Sequence, residues 1–150
     1  MKQLIWILLF GKMILLTESP VNLGANEWFS LDLKKPIQAI NGGATIFIQV
    51  PIDDPRIVQI KGSDDIFKDL STIFPKKTIE ARLENSHGEI LLFNNFKFSV
   101  SDFSLSKEES VRIKLTTDKS VPTNLKFESI AIKSVQPINN AKIFWKNYSQ

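Results

Sequence analysis

With no cysteine and a single histidine, His87, this chain of 150 residues leaves carboxylates, hydroxyls and aromatic rings to carry any chemistry. There is no disulfide frame, thiol nucleophile, Cys-ligated zinc, iron–sulfur cluster or lipid-attachment site. His87 stands in Asn85-Ser86-His87-Gly88, which reads as a tight hairpin turn. An imidazole there is solvated and loosely held, whereas a general base needs a fixed partner within hydrogen-bond reach. The acids come in pairs: Asp53-Asp54 before Pro55, Asp64-Asp65 before an apolar run, and Glu80 with Glu84 on one strand face. Four strand residues set the last pair roughly 13 Å apart, beyond the usual ~6.5–9.5 Å of an inverting glycosidase. Asp64, Asp65 and Asp69 offer clustered oxygens but no EF-hand spacing, and acids at a helix N-terminus already have a role against the macrodipole. The expectation is therefore no catalytic residue, no metal and no cofactor. A small carboxylate-dependent hydrolase remains as a third reading, because acids on separate strands can converge.

The aromatic residues point elsewhere. Trp28-Phe29 and Phe144-Trp145, with Tyr148, fall in the first and last strands expected after residue 25, which often lie near each other in sandwiches. In alternation Ile143 and Trp145 share one face, while Phe144 shares the other with Lys142 and Lys146, so one aromatic face must point away from the core. An open ring flanked by amides and charges suits a sugar, whose C–H face stacks while its hydroxyls take polar partners. Trp28, Phe144, Trp145, Asn147 and Tyr148 are the expected ligand-binding set. The competing reading makes Trp145 and Phe29 core residues and Phe144 a shielded edge residue. Asn147-Tyr148-Ser149 is also a glycosylation acceptor pattern, meaningful on a eukaryotic secretory route.

The elements that must position these residues are mostly strands. Apolar residues recur at period two in Phe29–Leu33, Ala44–Val50, Ile79–Leu83, Phe96–Val100 and Val111–Leu115, the mark of strands with one buried face. Residues 89–93 return as a hairpin partner of the Ile79 strand, and residues 106–109 read as a turn. Residues 125–135 form a strand whose apolar parity shifts near Glu128-Ser129, as at a bulge. Pro137–Asn140 reads as a turn and residues 141–148 as the last strand. Ile66, Leu70, Ile73 and Phe74 lie at helical spacing behind Ser63 or Asp64 as N-cap and ahead of Pro75, so one short helix is predicted near 65–74. Phe47, opposite the apolar face of its strand, is placed under that helix. About nine short strands without βαβ alternation predict an all-β, two-layer antiparallel β-sandwich of jelly-roll or immunoglobulin-like type.

Met1-Lys2-Gln3 precedes a run from Leu4 to Leu16 that is 13 residues long and contains Lys12. A basic start before a short apolar run is a signal-peptide pattern, and the run falls short of the ~20 residues a spanning helix needs. With small residues at Leu23-Gly24-Ala25, the reading is a leader over 1–25, with an uncleaved anchor as the alternative, and one sandwich domain over 26–150. That makes the protein secreted or periplasmic, free of the membrane once the leader is gone. Its formal charge of +3, or +2 without residues 1–25, is interleaved with acids and argues against nucleic acid as partner. No nucleotide fingerprint or Gly-rich phosphate loop is present. The expected function is non-catalytic binding of a glycan or an envelope protein. The alternative is a protein-interaction factor, such as an inhibitor, immunity or assembly protein, that offers a strand edge.

Overall fold

The computed structural model describes residues 13–38, 44–75, 78–85, 90–92, 99–106, 110–117 and 126–147. Along these the chain forms β1 (Ile14–Leu15), β2 (Val21–Leu23), β3 (Glu27–Gln38) and β4 (Ala44–Val50), then the helices α1 (Pro55–Ile60) and α2 (Ile66–Ile73). It continues through β5 (Ile79–Glu84), β6 (Ile90–Leu92), β7 (Ser99–Leu105), β8 (Val111–Thr116), β9 (Lys126–Ser134) and β10 (Ile138–Asn147). One sheet has the order β1-β10-β4-β8-β7, with β2 also paired to β10; the other has the order β3-β9-β5-β6. All strand pairings are antiparallel. The fold is the two-layer β-sandwich that the period-two spacing predicts.

Alternation decides what lies between the sheets. Ile46, Ile48 and Val50 of β4, Val111, Ile113 and Leu115 of β8, and Ala141, Ile143 and Trp145 of β10 are buried from one sheet. Ile79, Ala81 and Leu83 of β5, with Phe127, Ile130 and Ile132 of β9, meet them from the other. The rings of Trp145 and Phe127 lie 6.1 Å apart between centroids and tilted by 56°, within the range where aromatic edges and faces attract. Phe127 and Ile130 both reach this core although they are three positions apart, an odd spacing that regular alternation forbids. The register explains it: Ser129 pairs with Asp32 but Phe127 with Ile37, so the irregularity falls at the expected place, with the extra residues on β3.

Two helices, rather than one, carry the chain from β4 to β5. α2 lies within the predicted segment, with Asp65 accepting from the Lys68 N–H at its N-cap, and buries Leu70 and then Phe74. α1 is the addition: Asp54 caps it and Pro55 begins it, a pairing that favours a helix start because proline lacks only an N–H left unused there. At 6 residues it is too short for a 3.6-residue period to register. Phe47 belongs with neither helix. It lies outside the core cluster that holds Leu70 and Phe74 and pairs across the sheet with Phe144 and Lys114 on the outer face.

Two short N-terminal strands ahead of Asn26 pair with β10. β1 pairs with Trp145 and Phe144, β2 pairs with Ile138 and Ala141, and the Leu16 N–H donates to the Ile143 carbonyl at 2.8 Å. Leu23 is 1% exposed and belongs to the core. A cut at Ala25–Asn26 would strip both strands from the edge of β10. Strands of 2 and 3 residues are too short to leave a periodic trace, so the sequence alone hid them. His87, Tyr148, most of the 106–109 turn and Phe96–Phe98 lie outside the described residues.

Two stability tests follow from these facings. Ile143→Ala is expected to cost about 2–5 kcal/mol in urea unfolding, against a small change for exposed Lys142→Ala; equal losses would contradict the β10 assignment. A chain starting at Asn26 is expected to be less stable than one starting at Met13 by at least ~2 kcal/mol, from Leu23 burial alone. Equal unfolding midpoints would show that β1 and β2 contribute nothing.

Candidate functional site

The outer face of the first sheet gathers polar residues that are far apart in the chain. Antiparallel register sets Lys142, Gln49 and Arg112 side by side across β10, β4 and β8. The next row on the same face is Phe144, Phe47 and Lys114. β4 is central, and its outward Gln49 is 9% exposed and Phe47 6%, each flanked by paired residues on both neighbouring strands.

Arg112 is the most constrained of these groups. Its Nε donates to Gln49 Oε1 at 2.9 Å, and its guanidinium carbon lies 4.7 Å from the centre of the Phe144 ring. A cation over an aromatic face gains about 0.5–1 kcal/mol where partly exposed, and more when desolvated. Ring and amide together hold the planar fork in one orientation.

Beside it runs a groove of about 410 Å³, whose polar lining includes Gln49, Arg112, Lys142, Asn140, Ser110 and Asp53. Each wall has a local cause. Ser110 is set by a turn in which Ser106 N–H donates to the Ser110 carbonyl and Ser110 N–H to Ser106 Oγ, at 2.8 and 3.0 Å. Asn140 adopts a left-handed φ of 55°, which asparagine tolerates better than most residues, and its N–H donates to Asn22 Oδ1.

The Pro51–Asp53 rim leads into the cap of α1. There Arg56 donates from Nε and Nη2 to the two carboxylate oxygens of Asp54, at 3.0 and 2.8 Å. Its Nη1 reaches Gln136 Oε1 at 3.4 Å, and its guanidinium lies 5.0 Å from the Phe74 ring centre. Those side-chain bonds from Arg56 hold the Asp54 carboxyl below its ordinary value, against the upward push of burial, with backbone N–H groups and the Arg56 charge also lowering it.

The aromatic residues expected to bind a ligand are dispersed. Phe144 is half-buried at the groove, with Arg112 covering one face of its ring. Trp145 is 1% exposed and sits in the core, since adjacent strand residues face opposite ways. Trp28 is on the outer face of the other sheet, with the Arg82 guanidinium 4.4 Å and Lys133 Nζ 5.9 Å from its ring centre. Asn147 ends β10 opposite Ala44, and Tyr148 lies outside the described residues. The residues that sequence reasoning missed are Arg112, Gln49 and Asn140. Their outward parity was readable, but the pairing of positions 63 residues apart was not.

No protein-family model matches the chain, and no curated protein or solved structure is significantly similar to it.

Four other acids are engaged locally. Asp54 pairs with Arg56, Asp65 caps α2, Asp69 accepts from Ser63 Oγ, and Glu84 Oε1 lies 3.1 Å from Arg82 Nε. Among the described residues no group of three His, Cys, Asp or Glu stands where it could hold a metal ion. A larger cleft of about 750 Å³ between β1 and β3 has walls that include Ile14, Leu16, Val21, Leu31, Leu33 and Ile37. Thr17, Glu18, Ser19, Asp32, Lys34 and Lys35 also line it, but its walls are more apolar than those of the groove beside Arg112.

Asp54 provides a pH test of the rim. A carboxyl that titrates below its ordinary 3.8 stabilises the fold above that pH and loses the contribution as pH falls from there through the lower folded value. Asp54→Asn keeps a capping oxygen but no charge. It is expected to be less stable than wild type near about pH 6, with the gap closing in strong acid. A constant gap across an acid series of thermal melts would contradict the ion pair.

Proposed function

We propose that this protein is an exported, non-catalytic binding module that holds a glycan or another cell-envelope component in the groove over β10, β4 and β8. The observation that carries the reading is Arg112 locked between Phe144 and Gln49 beside the side chains of Asn140, Ser110 and Lys142. Sugars present hydroxyls that act as both donors and acceptors, and the amides and hydroxyl here match both roles. With Arg112 over one face of Phe144, recognition relies on hydrogen bonds and charge more than on an open stacking platform. Asp53 is the one carboxylate among the described groove residues, where glycoside hydrolysis ordinarily uses two.

Export, to the periplasm or outside the cell, rests on the basic start and short apolar run of the sequence. No helix among the described residues is long and apolar enough to cross a membrane. The strand-edge alternative has less support, because β3, at the rim of its sheet, carries exposed Lys34, Lys35 and Pro36, residue types that blunt edge pairing.

Affinity electrophoresis of the purified protein through gels containing envelope and extracellular polysaccharides tests the reading. At least one polysaccharide is expected to retard migration, and Phe144→Ala to weaken it by about tenfold, equivalent to about 1.4 kcal/mol. Unretarded migration throughout, with a stoichiometric protein in pull-downs from the source cell, would replace the glycan by a protein partner.

A further inference from the structure

We infer that the groove selects an acidic glycan, one whose sugar carboxylate docks on the outer fork of Arg112; this rests on the glycan reading above. A guanidinium has two edges able to grip a carboxylate through paired N–H donors. Gln49 takes Nε at 2.9 Å and so occupies the side edge. The end edge, Nη1 with Nη2, makes no hydrogen bond to any described residue, and Phe144 beneath the plane fixes where that edge points. An arginine held on two sides and unused on the third has already lost the freedom that binding would otherwise cost.

Charge agrees with this geometry. The described groove residues include Arg112 and Lys142 as cations and Asp53 as the anion, which leaves one positive charge to be balanced. A carboxylate carries one negative charge and matches the planar fork. Lys142 stands two strands from Arg112 in the same row, about 10 Å away by strand spacing. From there it faces a neighbouring part of the same ligand, while Gln49, Asn140 and Ser110 remain for hydroxyls. Stacking of a nucleic-acid base on the covered face of Phe144 is blocked by Arg112 itself.

The test is calorimetric titration of the purified protein with oligogalacturonate, its methyl ester, a neutral cello-oligosaccharide, polyglutamate and an oligonucleotide. Oligogalacturonate is expected to bind at least about tenfold more tightly than the ester, with affinity falling as salt rises. Arg112→Gln is expected to abolish that preference and exposed Lys142→Gln to reduce it, the latter with an unchanged thermal midpoint. Should Arg112→Gln fail to fold, Lys142→Gln and the ester still decide the matter. Ester or neutral sugar binding as well as the acid would overturn the acidic preference and leave the glycan reading standing. Polyglutamate or oligonucleotide binding as tightly as the uronate would overturn the glycan reading, and no carbohydrate binding at all would remove both.

Discussion

The structure depends on β10, a strand paired along both edges and buried on one face. Ala141, Ile143 and Trp145 point into the space between the sheets, and Trp145 meets Phe127 from the opposite layer. Lys142 and Phe144 point the other way, into the groove. The alternation that commits apolar area to the core therefore presents the outward residues at fixed spacing. A one-residue slip would exchange the two sets, placing lysines in the core and Trp145 at the surface. Burial energy in the core thus also holds the geometry of the groove.

The groove is supported from behind as well as from below. Asp54, Arg56, Phe74 and Gln136 brace α1 against the C-terminal end of α2 and the link between β9 and β10. That brace holds the rim from Pro51 to Asp53 on a short helix that would not be stable alone. Arg56 and Arg112 are used in parallel ways: each guanidinium lies over a phenylalanine ring and is hydrogen-bonded to a neighbour. They differ in what remains. Arg56 uses all three nitrogens on protein acceptors, whereas Arg112 uses Nε alone among the described residues. The first is a structural clamp and the second has donors to offer.

The N-terminal segment shows how tertiary pairing can recruit residues that read as something else. Ile14–Leu15 belongs to an apolar run and Val21–Leu23 to the remainder of the expected leader, yet both complete the edge of β10. Covering that edge removes a row of unpaired N–H and C=O groups that would otherwise template association with another chain. A leader and a strand can overlap in composition because each needs only a few consecutive apolar residues.

Local order along the chain was open to reading from the sequence. Period-two spacing identified the inward faces of β4, β5 and β8, the opposed facings of Lys142 and Ile143, and the irregularity near Glu128; helical spacing identified α2. These follow from backbone geometry, in which neighbouring side chains alternate on a strand and recur every 3.6 residues on a helix. Which strands lie beside each other was decided only in three dimensions. Gln49 and Arg112 are joined across 63 residues, and Trp28 and Phe144 are parted onto different sheets. Such pairings depend on how two whole faces pack, a non-local balance of burial against loop closure, and no spacing within a single strand encodes it.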